Sequence, residues 1–235
     1  MDKLESVSIC VPAYNEESNL ASAVEDLLIS LGSRVKNLEI IIVDDGSSDA
    51  TFDISNEFSE KYREVSVVHH EVNLGIGSCY RNALSIAKGD FFTWFPGDHE
   101  NSAQELIKCL PYLDKDTVVT SHHLGYDRRC YMRRLISQSY TWILNTIFSL
   151  NIKYYNGLAI FSIEILRSFP LHSEGFSLFA ENLIRVIRSG SKVVELSASL
   201  PGRSGGKSKA LSFLSILRMA KDLIAILSKG KIKLK

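Results

Sequence analysis

Short apolar runs alternate with amphipathic stretches along the first half of the chain. Val7 to Val11 is a β-rich run closed by Pro12, and Leu38 to Val43 is continuously apolar, as a strand covered on both faces would be. Val65 to His69 and Phe91 to Phe95 read as two further strands. Between them the pattern predicts three helices: one capped by Asn15 or Ser18 and running to about Ser30, one over about Ala50 to Tyr62, and one from Gly77 to about Lys88. This β-α-β-α-β-α-β order argues for a parallel, doubly wound sheet with right-handed crossovers. A helix near Ser102 to Leu110 and a strand near Thr117 to Ser121 complete this half.

The second half is less regular. In Leu135 to Leu150, Ile136, Tyr140, Ile143 and Ile147 recur at helical spacing, with Trp142 and Phe148 elsewhere on the circumference. The basic stretch Arg128 to Arg134 precedes it, so this helix can lie at a membrane interface or pack in the core, and both readings stand. A turn and strand follow at Asn156 to Phe161, then an amphipathic helix from Phe176 to Ser189 closed by Gly190, then a strand from Lys192 to Ser197. The last segment places Phe213, Ile216, Leu217, Ala220, Leu223, Ile224 and Leu227 on one helical stripe. That stripe suits a membrane surface, with alternating lysines beyond it for anionic headgroups, or else the body of the domain. No internal repeat or low-complexity linker interrupts the chain.

Composition changes this picture in two places. The 235 residues suit one large α/β domain with a tail, and their net charge of zero hides a split. From Arg203 onward nine Lys/Arg face the single acid Asp222, giving +8, while the first 202 residues hold 18 basic against 26 acidic side chains, giving −8. The tail is therefore expected to meet anions. Its lysines are interleaved with apolar residues and lack stacking aromatics, which argues against nucleic acid. Cys10, Cys79, Cys109 and Cys130 are widely spaced, as reduced thiols of a cytosolic protein are. The start, Met1-Asp2-Lys3-Leu4-Glu5, lacks the regions of a secretory signal, and no apolar run approaches the roughly 20 residues of a membrane span. The expected location is the cytoplasm, with any membrane contact peripheral, at the cytosolic face.

Three predicted strands end in polar loops at one sheet edge: Tyr14 to Glu16, Asp44 to Asp49, and Asp98 to Glu100 after a Pro96-Gly97 turn. Ligands of open α/β sheets bind at that edge. Asp98 and Glu100 can offer hard oxygen ligands to one Mg²⁺ or Mn²⁺, with a nucleotide diphosphate filling the other positions; a solvated acidic turn is the plainer alternative. Two other motifs fail. Gly206-Lys207-Ser208 lacks the first glycine of a phosphate loop, Pro201 standing in its place, and Gly75-Ile76-Gly77 lacks the third glycine of a dinucleotide fingerprint. His69-His70 and His122-His123 have no spacing that suggests a shared metal and read as structural or solvent-facing.

Val11-Pro12-Ala13-Tyr14-Asn15-Glu16, Val43-Asp44-Asp45-Gly46-Ser47 and the Pro96 to Glu100 turn resemble the signature loops of family-2 glycosyltransferases of the GT-A fold, a Rossmann-like, mostly parallel α/β sheet with helices on both faces. Arg133-Arg134-Leu135-Ile136-Ser137, the Asn156-Gly157 turn, and Glu195 through Arg203 to Gly206-Lys207-Ser208-Lys209 are similar to the polyprenyl-phosphate sugar synthases, the dolichol-phosphate mannose synthase type. The resemblance implies one domain over residues 1–209, with a donor-binding half (1–121) and an acceptor half (122–209), followed by a basic amphipathic helical tail at 210–235. It implies that Pro12, Tyr14, Glu16, Asp44 and Asp45 hold the donor's base and ribose, and that Arg203, Ser208 and Lys209 close over its diphosphate. Arg81 is a further phosphate candidate, or else a solvated helix residue. The family's metal turn usually reads Asp-x-Asp; here Pro96 replaces the first acid, Asp98 keeps the second, and Glu100 can restore a ligand.

The implied reaction moves a hexosyl group from a nucleotide-diphosphate sugar, GDP-mannose or a UDP-hexose, to a polyprenyl phosphate with inversion. Asp98 and Arg203 would stabilise the leaving diphosphate, and Arg133, Arg134 and Ser137 would seat the acceptor beside the membrane. A membrane-anchoring partner or a homo-oligomer is compatible with this. One alternative is transfer to a glycan or lipid-linked hydroxyl, which needs a general base, for which Glu181 is the candidate. Another is a non-catalytic member that binds nucleotide sugar.

Overall fold

The computed structural model describes residues 4–123 and 131–198. Seven strands form one sheet in the order β3-β2-β1-β4-β6-β5-β7, with β1 at Leu4–Ala13, β2 at Val35–Asp44, β3 at Val65–His69, β4 at Phe91–Trp94, β5 at Thr117–His123, β6 at Ala159–Ser162 and β7 at Lys192–Ala198. The first four strands pair in parallel, as their alternation with helices predicted. Each connection carries a helix: α1 at Leu20–Leu31, α2 at Thr51–Lys61 and α3 at Ile76–Ile86. β2 is buried on both faces over its second half, which explains its unbroken apolar run Ile40 to Val43.

β4 shows the two-residue period of a strand. Phe92 and Trp94 point to the face of α3 and of α7 (Ser177–Arg188), where the Phe92 ring meets Tyr80 edge-on at 5.0 Å and Trp94 stacks on Phe179 at 4.3 Å. The opposite face carries α1, which packs against α2 and against α4 (Gln104–Cys109).

The second half departs from the parallel plan at β6, which is antiparallel to both β4 and β5. Thr120, near the end of β5, pairs with Ala159, the first residue of β6, so the chain re-enters the sheet at the edge where it left. The intervening α5 (Tyr131–Phe148) is thus no crossover helix. The return is tight: Ser121 N–H donates to the Leu158 carbonyl at 2.8 Å, and a Cβ on Gly157 would stand 1.9 Å from the Ser121 carbonyl oxygen. β7 then pairs in parallel with β5, and a short α6 (Ile163–Arg167) follows β6.

Two sequence expectations need correction. Neither Asn15 nor Ser18 caps α1; Asn15 adopts a left-handed backbone (φ 56°), and the helix starts after Asn19. The buried stripe of α5 is Tyr140, Leu144 and Phe148, not the stripe through Ile143 and Ile147, which are exposed. One side of this helix belongs to the core, while Leu135, Trp142, Ile143 and Ile147 face outward.

Candidate functional site

The parallel register brings the carboxyl ends of β1, β2, β3 and β4 to one edge, with β1 between β2 and β4. The backbone ties their loops together there. Asp45 N–H donates to the Ala13 carbonyl at 2.9 Å, Gly97 N–H to the Pro12 carbonyl at 3.3 Å, and His70 N–H to the Asp44 carbonyl at 2.9 Å. The Asp44–Asp45 loop and the Asp98 turn therefore flank one strand end, that of Pro12 and Ala13.

Side chains tighten the same junction. Asn15 N–H donates to Ser47 Oγ, Asn15 Oδ1 accepts from Ser48 N–H, and Glu16 N–H donates to Thr51 Oγ1, all between 2.8 and 3.0 Å. Asn15 thus serves as a clasp between the first two loops, which its left-handed backbone makes reachable. Glu16 turns its carboxylate onto the Asn19 amide, Pro12 is half-buried, and Tyr14 is exposed at the lip. Burial pulls the Asp49 carboxyl up, but hydrogen bonds from Thr51 outweigh it, and the group sits below the usual carboxylate range.

Asp44 and Asp45 are buried, and their oxygens are already engaged. Asp44 Oδ2 meets His69 Nδ1 at 2.7 Å, and Oδ1 accepts from Ser47 N–H. Asp45 Oδ1 meets His70 Nδ1 at 2.7 Å and accepts from Leu74 N–H at 2.8 Å, while Oδ2 accepts from Gly75 N–H at 2.8 Å. His69 and His70, which in the chain read as structural or solvent-facing, are the partners of this acidic pair. The register Asp44↔His69 between β2 and β3 is the reason.

Asp98 is half-buried in a turn where its Oδ1 accepts from Glu100 N–H at 3.0 Å, with the partly buried Glu100 beside it. His99 between them has a left-handed backbone (φ 54°), and its Nε2 lies 3.5 Å from Asp26 of α1. The carboxylate oxygens of this turn are a donor set that suits Mg²⁺ or Mn²⁺. Asp45, His70 and Cys79 form another group, with ligand atoms within 4.8 Å of one another. Its mixed O, N and S donors suit a softer ion. Burial, and after it the Asp45 charge, pushes the Cys79 thiol up to about 12.

Arg81 Nη1 donates to the Ser173 carbonyl at 2.7 Å and Nη2 to Ser78 Oγ, so this guanidinium ties α3 to the loop before α7. Glu181 is fully buried: Oε2 accepts from the His172 and Ser173 amides and Oε1 from Arg185. Burial pulls this carboxyl up, but those hydrogen bonds outweigh it and hold the group below its usual value. Ser137 lies half-buried on α5, and Arg133 and Arg134 fall in the first turn of that helix, their side chains outside the described residues. Arg203, Ser208, Lys209 and the 210–235 tail also lie outside them. A cavity of about 300 Å³ lined by Asp116, Glu164 and Ser191 opens at the opposite, amino edge, away from these loops. Among the described residues no helix is long and apolar enough to cross a membrane.

A family profile, Glycosyl transferase family 2, matches residues 8–171. The chain is 32% identical over 126 residues to the glycosyltransferase GlyG of Streptococcus pneumoniae, covering 52% of this chain and 40% of that protein. It is 25% identical to an undecaprenyl-phosphate 4-deoxy-4-formamido-L-arabinose transferase of Pectobacterium carotovorum, covering 97% of this chain and 69% of that protein. A dolichyl-phosphate β-glucosyltransferase of Dictyostelium discoideum is 26% identical, covering 94% and 73% respectively. Among solved structures, glucosyl-3-phosphoglycerate synthase of Mycobacterium tuberculosis superposes with a TM-score of 0.67 at 20% identity, covering 97% of this chain and 80% of that one; it was crystallised with UDP, and in other crystals with Mn²⁺ or Mg²⁺. The stitched loops at the carboxyl edge, the GT-A sheet order and the profile match over most of the chain agree: the protein belongs to glycosyltransferase family 2.

Proposed function

We propose that this protein transfers a hexosyl group from a nucleotide-diphosphate sugar to a polyprenyl phosphate. The observation that carries the choice of acceptor is Glu181. A hydroxyl acceptor needs a base to take its proton, and the carboxylate on α7 that was the candidate is fully buried and held by two amides and an arginine. A phosphate acceptor is ionised near neutral pH and needs no base. The two relatives named for undecaprenyl-phosphate and dolichyl-phosphate transfer, which match nearly the whole chain, support the same reading.

In the proposed reaction a phosphate oxygen of the acceptor attacks the anomeric carbon, the bond from that carbon to the diphosphate breaks, and the nucleoside diphosphate leaves. A single displacement inverts the centre. Pro12, Tyr14 and Glu16, on the loop clasped to Ser47 and Ser48, border the donor, while Asp44 and Asp45 hold the neighbouring loops in place. Asp98 and Glu100 would hold Mg²⁺ or Mn²⁺, which when bound would offset the charge growing on the leaving diphosphate. Arg203, Ser208 and Lys209 are proposed to close over that diphosphate, and Arg133, Arg134 and Ser137 to seat the acceptor phosphate. Catalysis then rests on alignment and charge. The exposed apolar side of α5 and the +8 tail are proposed to bring the enzyme to the cytosolic face of a membrane.

The test is a transfer assay with purified protein, UDP- and GDP-sugars, Mn²⁺, and paired acceptors that differ only in phosphate against hydroxyl. Transfer to the phosphate acceptor alone is expected. Equal transfer to the hydroxyl acceptor would overturn the choice of acceptor.

A further inference from the structure

Asp45 is 4% exposed, and three hydrogen bonds converge on its carboxylate from one short segment: His70 Nδ1 and the Leu74 and Gly75 amides, each at 2.7–2.8 Å. The segment they gather, 71–75, lies directly over the Asp45–Gly46 turn. A Cβ on Gly46 would stand 2.6 Å from the Val72 carbonyl carbon, and Gly46 (φ 72°) and Gly75 (φ 86°) both adopt the left-handed backbone. Val72 and Leu74 point outward on its surface. On the other side of the imidazole, Nε2 lies 2.8 Å from Asn82 Nδ2 on α3. A ring with its proton on Nδ1 satisfies both contacts, donating to Asp45 and accepting from Asn82.

We propose that His70 is a positioning residue for the nucleotide end of the crevice, holding Asp45 so that its carboxylate and the 71–75 loop keep one fixed arrangement there. The inference rests on the nucleotide-sugar reading above. Its physical basis is that removing one partner from a buried carboxylate, here an imidazole and two amides, leaves a desolvated charge underbonded.

The two ring nitrogens can be tested separately. In His70→Asn the amide nitrogen takes the place of Nδ1 and keeps the donor to Asp45. In His70→Gln the longer side chain reaches toward Asn82 and withdraws that donor. Amide hydrogen exchange at Leu74 and Gly75, measured on the full chain without ligand, reads the loop. Calorimetric titration with UDP and with GDP, each with Mn²⁺, reads the nucleotide end, and the thermal midpoint reads the fold. The Gln variant is expected to speed exchange at both amides and to weaken the nucleoside diphosphate that binds wild type, each by about tenfold, with the midpoint within a few degrees of wild type. The Asn variant is expected to restore both. Wild-type exchange and affinity in the Gln variant would overturn the proposal. So would equal losses in both variants that merely track the midpoint, because that is the behaviour of a packing residue. Failure of wild type to bind either nucleotide would sink the donor reading instead, and the exchange arm would still decide whether His70 holds the loop.

Discussion

At the carboxyl ends of β1, β2 and β3 nearly every loop is tied to its neighbour by a side chain, whereas α5, in the second half of the chain, turns several apolar side chains outward. Asn15, Ser47, Thr51, His69 and His70 all bridge loops, and Asp44 and Asp45 sit buried at the junctions. In the second half Trp142 is 69% exposed, Leu135 45% and Ile147 40%, and the chain returns to the sheet through a reversed strand. The difference teaches that the two ends of the proposed reaction make opposite physical demands. A soluble, polar donor is served by rigid, pre-aimed loops. A greasy acceptor is served by apolar surface that water covers until a lipid displaces it.

The comparison is broken most severely at Glu181, the fully buried carboxylate that joins α7 to the 172–173 loop. Glu181→Ala strands Arg185 in the core and is expected to cost about 3–5 kcal/mol of stability, read by urea denaturation. A loss under 1 kcal/mol would mean the carboxylate is not a structural anchor, and the general-base reading would return. Asp98→Asn comes next. It should leave the thermal midpoint of the apo protein within a few degrees and lower sugar transfer by about a hundredfold or more. Undiminished transfer would remove Asp98 from the proposed chemistry. In the second half of the chain, Gly157→Ala would push a methyl group into the Ser121 carbonyl, and about 1–3 kcal/mol of destabilisation is expected from the forced shift.

Acid should separate the same anchor from the rest. The folded Glu181 carboxyl lies below its ordinary value of 4.5, so its contribution is fully present above that pH and is lost as pH falls through the folded value. Denaturation midpoints are expected to hold steady from neutral pH to about 5 and to decline below 4.5, with a shallower decline in Glu181→Gln. The smallest effect on stability is expected from Trp142→Glu combined with Ile147→Glu: an unchanged midpoint, but weakened sedimentation with anionic-lipid vesicles. Unchanged vesicle binding would mean that the outward face of α5 does not meet the membrane.

The legible and illegible parts of this chain divide along local and non-local lines. Strands β1 to β4 and their helices were visible because buried parallel strands leave short, unbroken apolar runs, such as Ile40 to Val43, bounded by turn residues and spaced by helical patterns. The acidic strand ends were visible as Asp44-Asp45 and Asp98-His99-Glu100. The reversal of β6 was not, because Ala159 to Ser162 reads equally well in either direction and its orientation depends on where α5 ends in space. The His70 link to Asp45 was hidden for a related reason. A histidine 25 residues away becomes a neighbour only once β2 and β3 are in register.

Alone, the amino-acid sequence determined the α/β class, the parallel first half, the family likeness and the chemical types gathered at one edge, since periodicity and loop composition are local properties. Only the tertiary structure decided which of those groups are spent on holding the loops. Asp44, Asp45 and Glu181 read as candidate site carboxylates in the chain, yet each is buried and engaged, because a buried charge must be met by donors: those of Asp45 come from the segment after β3, and those of Glu181 from the loop before α7 and from the next turn of α7.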